Sequence, residues 1–266
     1  MIYALLKGGL GNQLFQFAAA KTQAKLHATN CQFVLNEQSI SDINCLLKEP
    51  VKTTTLIKLN RPFIFRLLDQ FRPLNQRFYL KENQQQKPIF IKFPLNCFLD
   101  GYWQDPVFFM HQIRMEDLIH WNFTPNPISD VAVHFRGGDY FSSNNKTILG
   151  NLPELYYQQA FEKIQSLVNN PVFYLFSDTP ETFQFKFLKR YHCVWVNNNS
   201  PQKDLMAMSN FTHIIIANSS FSFWAAFLFH QDKNTVICPD KWFLSEKLKN
   251  VNPAKRLSNW IKIPSW

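Results

Sequence analysis

Apolar residues along the chain recur at two spacings. Short, mostly apolar runs occupy Ile2–Leu6, Cys31–Leu35, Phe98–Trp103, Val131–Phe135, Val172–Phe176, Val194–Val196, His213–Ala217 and Val236–Cys238. Their length and the glycines or polar residues that follow them predict strands. Helical spacing fills the gaps: Gln13–Leu26 presents Leu14, Phe17 and Ala18, Val107 to about Leu118 forms a second segment, and Leu155–Val168 presents Leu155, Ala160, Phe161, Ile164 and Leu167. Thr179-Pro180-Glu181 reads as a helix start with Thr as cap and Pro in first position. Alternating strands and helices imply right-handed crossovers and parallel sheets. The predicted architecture is α/β, with two Rossmann-like lobes whose parallel sheets face a cleft, residues 1–125 and 126–266, joined through Thr124-Pro125-Asn126-Pro127. Ser41–Gln86 has no clean period and predicts short helices and loops.

A chain of 266 residues, 46% hydrophobic, can bury a sizeable core. Its five cysteines, Cys31, Cys45, Cys97, Cys193 and Cys238, are odd in number and show no CxxC pair. They read as reduced thiols of a cytosolic protein. The apolar run Ile2–Leu6 is too short for a secretory core, and His213–Phe229 is broken by Asn218, Ser219, Ser220 and Ser222, so neither reads as a membrane span.

The formal net charge of +9 is unevenly placed: from Val51 to Lys92, nine Lys or Arg stand against Asp69 and Glu82. Within it, Arg61–Arg77 mixes cations with Phe63, Ile64, Phe65, Leu67, Leu68 and Phe71. Such a segment suits peripheral contact with the anionic inner face of the cytoplasmic membrane or an anionic acceptor. A solvated helix packing its apolar side on the core is the other reading. No finger, RNP-like or KH-like signature accompanies the charge, so nucleic acid is not expected.

Ligands of open α/β sheets bind beyond the carboxyl ends of the strands. The strand at Val131 runs directly into His134-Phe135-Arg136-Gly137-Gly138-Asp139. Arg136 offers a fork of donors suited to phosphate, and the two glycines let backbone approach closely. Three further strand ends share this character. Gly8-Gly9-Leu10-Gly11-Asn12-Gln13 opens a helix, where backbone donors face a ligand or merely make a tight turn, and Asn12 contacts ligand or caps the helix. Asp178, after Phe176-Ser177, accepts from a ribose or guanine edge or caps the next helix, and Ser219-Ser220 begin another helix in a way that suits a diphosphate. No DxD or ExD motif and no close histidine pair is present, so a carboxylate-bound metal is not expected.

These stretches, in this order, resemble the bacterial α-1,2-fucosyltransferases of glycosyltransferase family 11. The likeness includes GGLGNQLFQFA from Gly8, GYWQD from Gly101, HFRGGDY from His134, LPELYYQQA from Leu152, FSDTP from Phe176, DLMAMS from Asp204, ANSSFSFWAAFL from Ala217 and PDKWF from Pro239. Residues from about Ser41 to Lys92 match little. The resemblance implies a GT-B-like fold, a GDP-fucose donor, a galactoside acceptor within a surface glycan such as O-antigen or lipooligosaccharide, no obligatory metal and inversion by single displacement. The first lobe would serve the acceptor and the second the nucleotide sugar. Arg136 would bind the diphosphate with His134 lining its pocket, Asp178 would lie near the nucleoside, and Ser219, Ser220 and Phe221 would line the phosphate end. Gly11 and Asn12 would approach the donor from the first lobe. Asp139 is the remaining carboxylate of the loop, catalytic in one reading and bracing backbone N–H groups in the other.

One position departs from the family pattern. Members usually carry two adjacent arginines, HxRRGDY, and the second is Gly137 here. That keeps open a different nucleotide-sugar donor, and, from another class, an inactive glycan- or anionic-polymer-binding protein on the same scaffold.

Overall fold

A computed structural model describes residues 1–35, 42–54, 77–84, 86, 88–120, 129–138, 147–197, 200–228 and 235–266. The chain divides into two compact units, Met1–Trp121 and Asn122–Trp266. Most of the basic segment, the Thr124–Pro127 linker and Asp139 lie outside the described residues.

The first unit is a five-stranded parallel sheet, ordered β3-β2-β1-β5-β4, from β1 (Ile2–Leu6), β2 (Cys31–Leu35), β3 (Thr53–Thr54), β4 (Tyr79–Lys81) and β5 (Phe98–Asp100). Helix α1 (Leu10–Leu26) follows β1 and is buried along most of its length, glutamines included. Those glutamines serve as substitute strand partners. The Gln16 amide accepts from Lys7 N at 2.9 Å and donates to Lys7 O at 3.3 Å, while Gln23 donates to Ile91 O and accepts from Phe93 N, both at 2.9 Å. Buried backbone groups beyond the ladder are thereby satisfied without another strand.

The helix starts earlier than its apolar spacing predicts. Gly8 at φ +75° tightens the turn, so Gly9 is the residue before the first helical position and Asn12 lies inside the helix. The strand expected through Trp103 ends at Asp100: Tyr102 N donates to the Glu82 carboxylate instead of a ladder partner, and Trp103 takes a left-handed φ of +54°. The helix expected over Val107–Leu118 is instead two 3₁₀ turns, Pro106–Phe108 and Met115–Asp117, separated by Arg114 in extended backbone. Strands β3 and β4 fall within the segment expected to hold only helices and loops. They are two and three residues long, too short for a period to register.

The second unit is a six-stranded parallel sheet of β6 (Asp130–Phe135), β7 (Val172–Ser177), β8 (His192–Trp195), β9 (His213–Ile215), β10 (Thr235–Pro239) and β11 (Ile261–Ile263), ordered β11-β10-β9-β6-β7-β8. Counted within the unit this is 3-2-1-4-5-6, the order of dinucleotide-binding sheets, with the chain reversing direction across the sheet between β6 and β9. Strand β6 is buried at all six positions. Val131, Val133 and Phe135 pack on Tyr157, Ala160, Phe161 and Ile164 of α2 (Glu154–Gln165). Helices α3 (Pro201–Ser209) and α4 (Ser220–Phe227) flank β9 in sequence, and Ser200 caps α3 ahead of Pro201.

Helix α2 turns differently from its expected apolar face. Leu155 and Leu167 are 58% and 51% exposed, and Tyr156 and Tyr157 are buried in their stead. Their rings fill core while their hydroxyls find strand carbonyls: Tyr156 donates to Ile216 O at 2.6 Å and Tyr157 to His134 O at 3.3 Å. Burial pushes both phenols above their ordinary pKa, keeping them as donors. Tyr156→Phe is expected to cost about 1 kcal/mol of stability and Tyr157→Phe somewhat less, each read from urea unfolding midpoints.

Candidate functional site

The reversal of strand order between β6 and β9 places the second unit's candidate site at the carboxyl ends of those strands. Arg136 and the two glycines follow β6, and Asn218, Ser219 and Ser220 follow β9. Asn218 is committed to structure, its amide donating to Leu149 O, Gly150 O and Trp242 O at 3.1, 2.9 and 3.1 Å. That anchor holds the start of α4, whose first backbone N–H groups precede the helix's own ladder and point beyond the strand end. Ser219 is the residue before the first helical position and makes no side-chain cap bond.

The His134 imidazole lies 5.4 Å from the Phe221 ring, linking the β6 end to α4. His134 is 4% exposed, and its Nδ1 has no hydrogen-bond partner among the described residues. Burial, with the neighbouring Arg136 charge, pushes its pKa down to about 3. The ring is therefore neutral at physiological pH and sits beside the cation without competing for an anion.

Arg136 is paired with Asp178. Arg136 Nη1 donates to Asp178 Oδ2 at 2.8 Å, and the other carboxylate oxygen accepts from Gly137 N at 3.2 Å. Thr179, the residue before the first position of the 3₁₀ turn Pro180–Thr182, makes no side-chain cap bond, and the two Asp178 carboxylate oxygens go to Arg136 and Gly137. The helix expected there is only that one turn. Thr179 Oγ1 accepts from Gly138 N at 3.2 Å.

Gly137 is a packing requirement. A Cβ there would lie 1.8 Å from Thr179 Oγ1 and 3.2 Å from Phe183 Cε2. Gly138 has φ +54°, and a Cβ on it would meet Asp178 Oδ2 at 2.6 Å. An arginine at position 137 therefore has no room beside Thr179 as it stands, so the missing cation and the threonine form one arrangement.

In the first unit the corresponding reversal lies between β1 and β5. There the sequence reading missed a charged cluster, because Lys7 and Glu82 belong to no motif. Lys7 Nζ meets Asp100 Oδ1 at 2.8 Å and lies 5.1 Å from the centre of the Tyr102 ring, while the Tyr79 hydroxyl donates to Asp100 Oδ2. Burial raises the Asp100 carboxyl, but Lys7 and Tyr79 outweigh it and hold its pKa below the usual value. Glu82 is the reverse: burial dominates and raises it, although its carboxylate accepts from Tyr102 N at 2.7 Å. A side chain on Gly101 would collide with Glu82, its Cβ 2.3 Å from that of the glutamate. Asn12 Oδ1 accepts from Gln104 Nε2 at 2.5 Å, and Gly11 is buried in α1. The glycine-turn residues Gly11 and Asn12 thus belong to this unit's site, while Arg136, His134, Asp178, Ser219, Ser220 and Phe221 belong to the other.

The family model for glycosyl transferase family 11 matches residues 5–264. The chain belongs to glycosyltransferase family 11. This family-11 chain is 29% identical to an Escherichia coli alpha-1,2-colitosyltransferase, over 99% of both chains. It is 27% identical to the Escherichia coli O-antigen biosynthesis glycosyltransferase WbnK, over 98% of this chain and 100% of that one. In fold it is similar to Escherichia coli heptosyltransferase WaaC with ADP, at a TM-score of 0.51 and 10% identity, covering 99% of this chain and 92% of that chain. The family-11 chain is a glycosyltransferase, built on a GT-B-like α/β fold with two parallel sheets. Among its described residues no helix is long and apolar enough to cross a membrane.

Two outcomes test this geometry. In the unfolded chain His134 regains a pKa of about 6.5, whereas in the folded chain it is about 3. The folded state thus binds fewer protons between those values, so stability present at neutral pH is lost as pH falls through that window. Thermal and urea unfolding at pH 7 and pH 5 should show a loss of about 2 kcal/mol from this group, absent in His134→Gln. Gly137→Ala should cost roughly 1–3 kcal/mol in urea unfolding, and Thr179→Ala in the same chain should recover part of it.

Proposed function

We propose that this glycosyltransferase moves fucose from GDP-fucose to a galactoside hydroxyl, in α-1,2 linkage and with inversion, during synthesis of a surface glycan such as O-antigen or lipooligosaccharide. The observation that carries the reading is Arg136 at the carboxyl end of β6, beside the strand reversal and facing the order of a nucleotide-binding sheet. In this reading the acceptor hydroxyl attacks the sugar's anomeric carbon from the face opposite the diphosphate. The carbon–oxygen bond to phosphate breaks with its electron pair leaving on the diphosphate.

Charge then grows on the leaving oxygen, and Arg136, the N–H groups of Gly137 and Gly138 and the first turn of α4 at Ser219, Ser220 and Phe221 are the groups that receive it. They take the role a divalent cation has elsewhere. Neutral His134 lines the same pocket, and Asp139, outside the described residues, is the candidate to accept the acceptor proton. The second unit holds the nucleotide sugar. The first, with the Lys7–Asp100–Glu82 cluster, serves the acceptor side, and its Gly11 and Asn12 are the residues that approach the donor. Work at the cytoplasmic membrane face belongs to the same reading, supported by the excess of cations from Val51 to Lys92.

A second reading keeps the chemistry and changes the donor. It is favoured by Gly137, which stands where members of the family usually carry a second arginine, and by a relative named as a colitosyltransferase.

Arg136→Ala should lower kcat/KM by about 10²–10³-fold while leaving the fold intact by circular dichroism. Transfer to lactose-type acceptors should proceed with GDP-fucose in the presence of EDTA, with product linkage read by NMR. Preference for a UDP-sugar, or for a GDP-sugar other than fucose, moves the donor to the second reading. Sedimentation with anionic but not neutral vesicles at low salt checks the membrane part.

A further inference from the structure

The turn after β6 has the form of an anion nest. Successive N–H groups of Gly137 and Gly138 donate to Asp178 Oδ1 and Thr179 Oγ1 at 3.2 Å each, Gly138 itself has a left-handed φ of +54°, and the Arg136 guanidinium closes one side. In sheets of this order the turn after the first strand is where a pyrophosphate is bound. Here a carboxylate sits in it. Asp178 sets one oxygen on Arg136 Nη1 and the other on Gly137 N, as a phosphate would set two of its oxygens. The Asp178 side chain is 42% exposed and that of Arg136 26%, so water and ligand reach the pair, and an exposed pair of this kind is weakly held. The cap position of the turn that follows is held by Thr179 and not by Asp178.

We propose that Asp178 is a built-in counter-anion: it takes the place of the donor diphosphate at Arg136 and Gly137 and moves aside when the donor enters, thereby limiting donor affinity and hastening nucleotide release. The proposal rests on the reading of Arg136 as the diphosphate residue. It assigns Asp178 a place different from the nucleoside contact that the family resemblance implies. Removing the carboxylate takes a like charge away from the incoming phosphates and frees two donors for them. Return of the carboxylate to Arg136 after transfer competes with the departing GDP, and product release of this kind limits turnover in many enzymes.

The test uses the full chain and two probes, inorganic pyrophosphate and GDP, with UDP and ADP as comparisons, titrated calorimetrically into wild type, Asp178→Asn and Asp178→Ser. Asparagine keeps the shape and serine keeps a small acceptor, so at least one folded variant is expected, checked by thermal unfolding. The expected result is tightening of both probes by about tenfold, the size of removing one nearby like charge near a protein surface, with GDP release slowed by a similar factor in stopped flow. Unchanged or weaker pyrophosphate binding overturns the proposal. Unchanged pyrophosphate with weakened GDP also overturns it, and places Asp178 at the nucleoside. Tightened pyrophosphate without preference for GDP over UDP or ADP leaves the counter-anion standing and defeats the GDP-sugar reading instead.

Discussion

Strand β6 has no solvent face. All six of its residues are buried, it pairs with β7 on one side and β9 on the other, and the reversal of strand order falls along its β9 edge. A strand so placed must have every backbone group satisfied, including those at its carboxyl end where the ladder stops. The His134 carbonyl receives Tyr157, and across the reversal the Ile216 carbonyl receives Tyr156. One helix therefore fastens both strand ends with adjacent side chains. The groups that follow, Arg136 and Gly137 on one strand and Ser219 and Ser220 after the other, inherit their positions from that fastening.

Electrostatics at this end of the sheet are managed by keeping most groups neutral. His134 is uncharged because burial forbids its protonation, and the phenols stay protonated for the same reason. Among the described residues here the charged pair is Arg136 with Asp178, whose side chains are 26% and 42% exposed. The first unit shows the opposite treatment. Its Lys7, Asp100 and Tyr79 form a closed set in which each charge is already answered, and Glu82 holds the turn at Tyr102.

Much of this was legible in the order of residues. Strand β6 and the strand ends at Arg136, Asp178 and Ser219 were readable because a buried parallel strand is a continuous apolar run and its end is marked by an abrupt change to glycine and polar residues. Membership of glycosyltransferase family 11 was readable from ordered motifs spread along the chain. Other features were not. Tyr156 and Tyr157 pass for surface residues of an amphipathic helix unless the carbonyls they reach are known. The Lys7–Asp100 pair joins positions 93 residues apart, and the left-handed backbone at Trp103 is an angle that composition does not reveal. Asp178 read equally well as a cap, because short acids at helix starts usually are caps. Only its distance to Arg136 decides otherwise.

The contact between Gly137 and Thr179 has a consequence for how substitutions at the two positions combine. With Thr179 in place, a mutation that gives position 137 any side chain meets a steric collision before it gains a charge. A side chain at 137 fits only if Thr179 turns its hydroxyl away or gives place to a smaller residue, and either change gives up the bond from Gly138 N to Thr179 Oγ1. The glycine and the threonine are thus coupled positions, and the effect of changing one depends on the residue at the other.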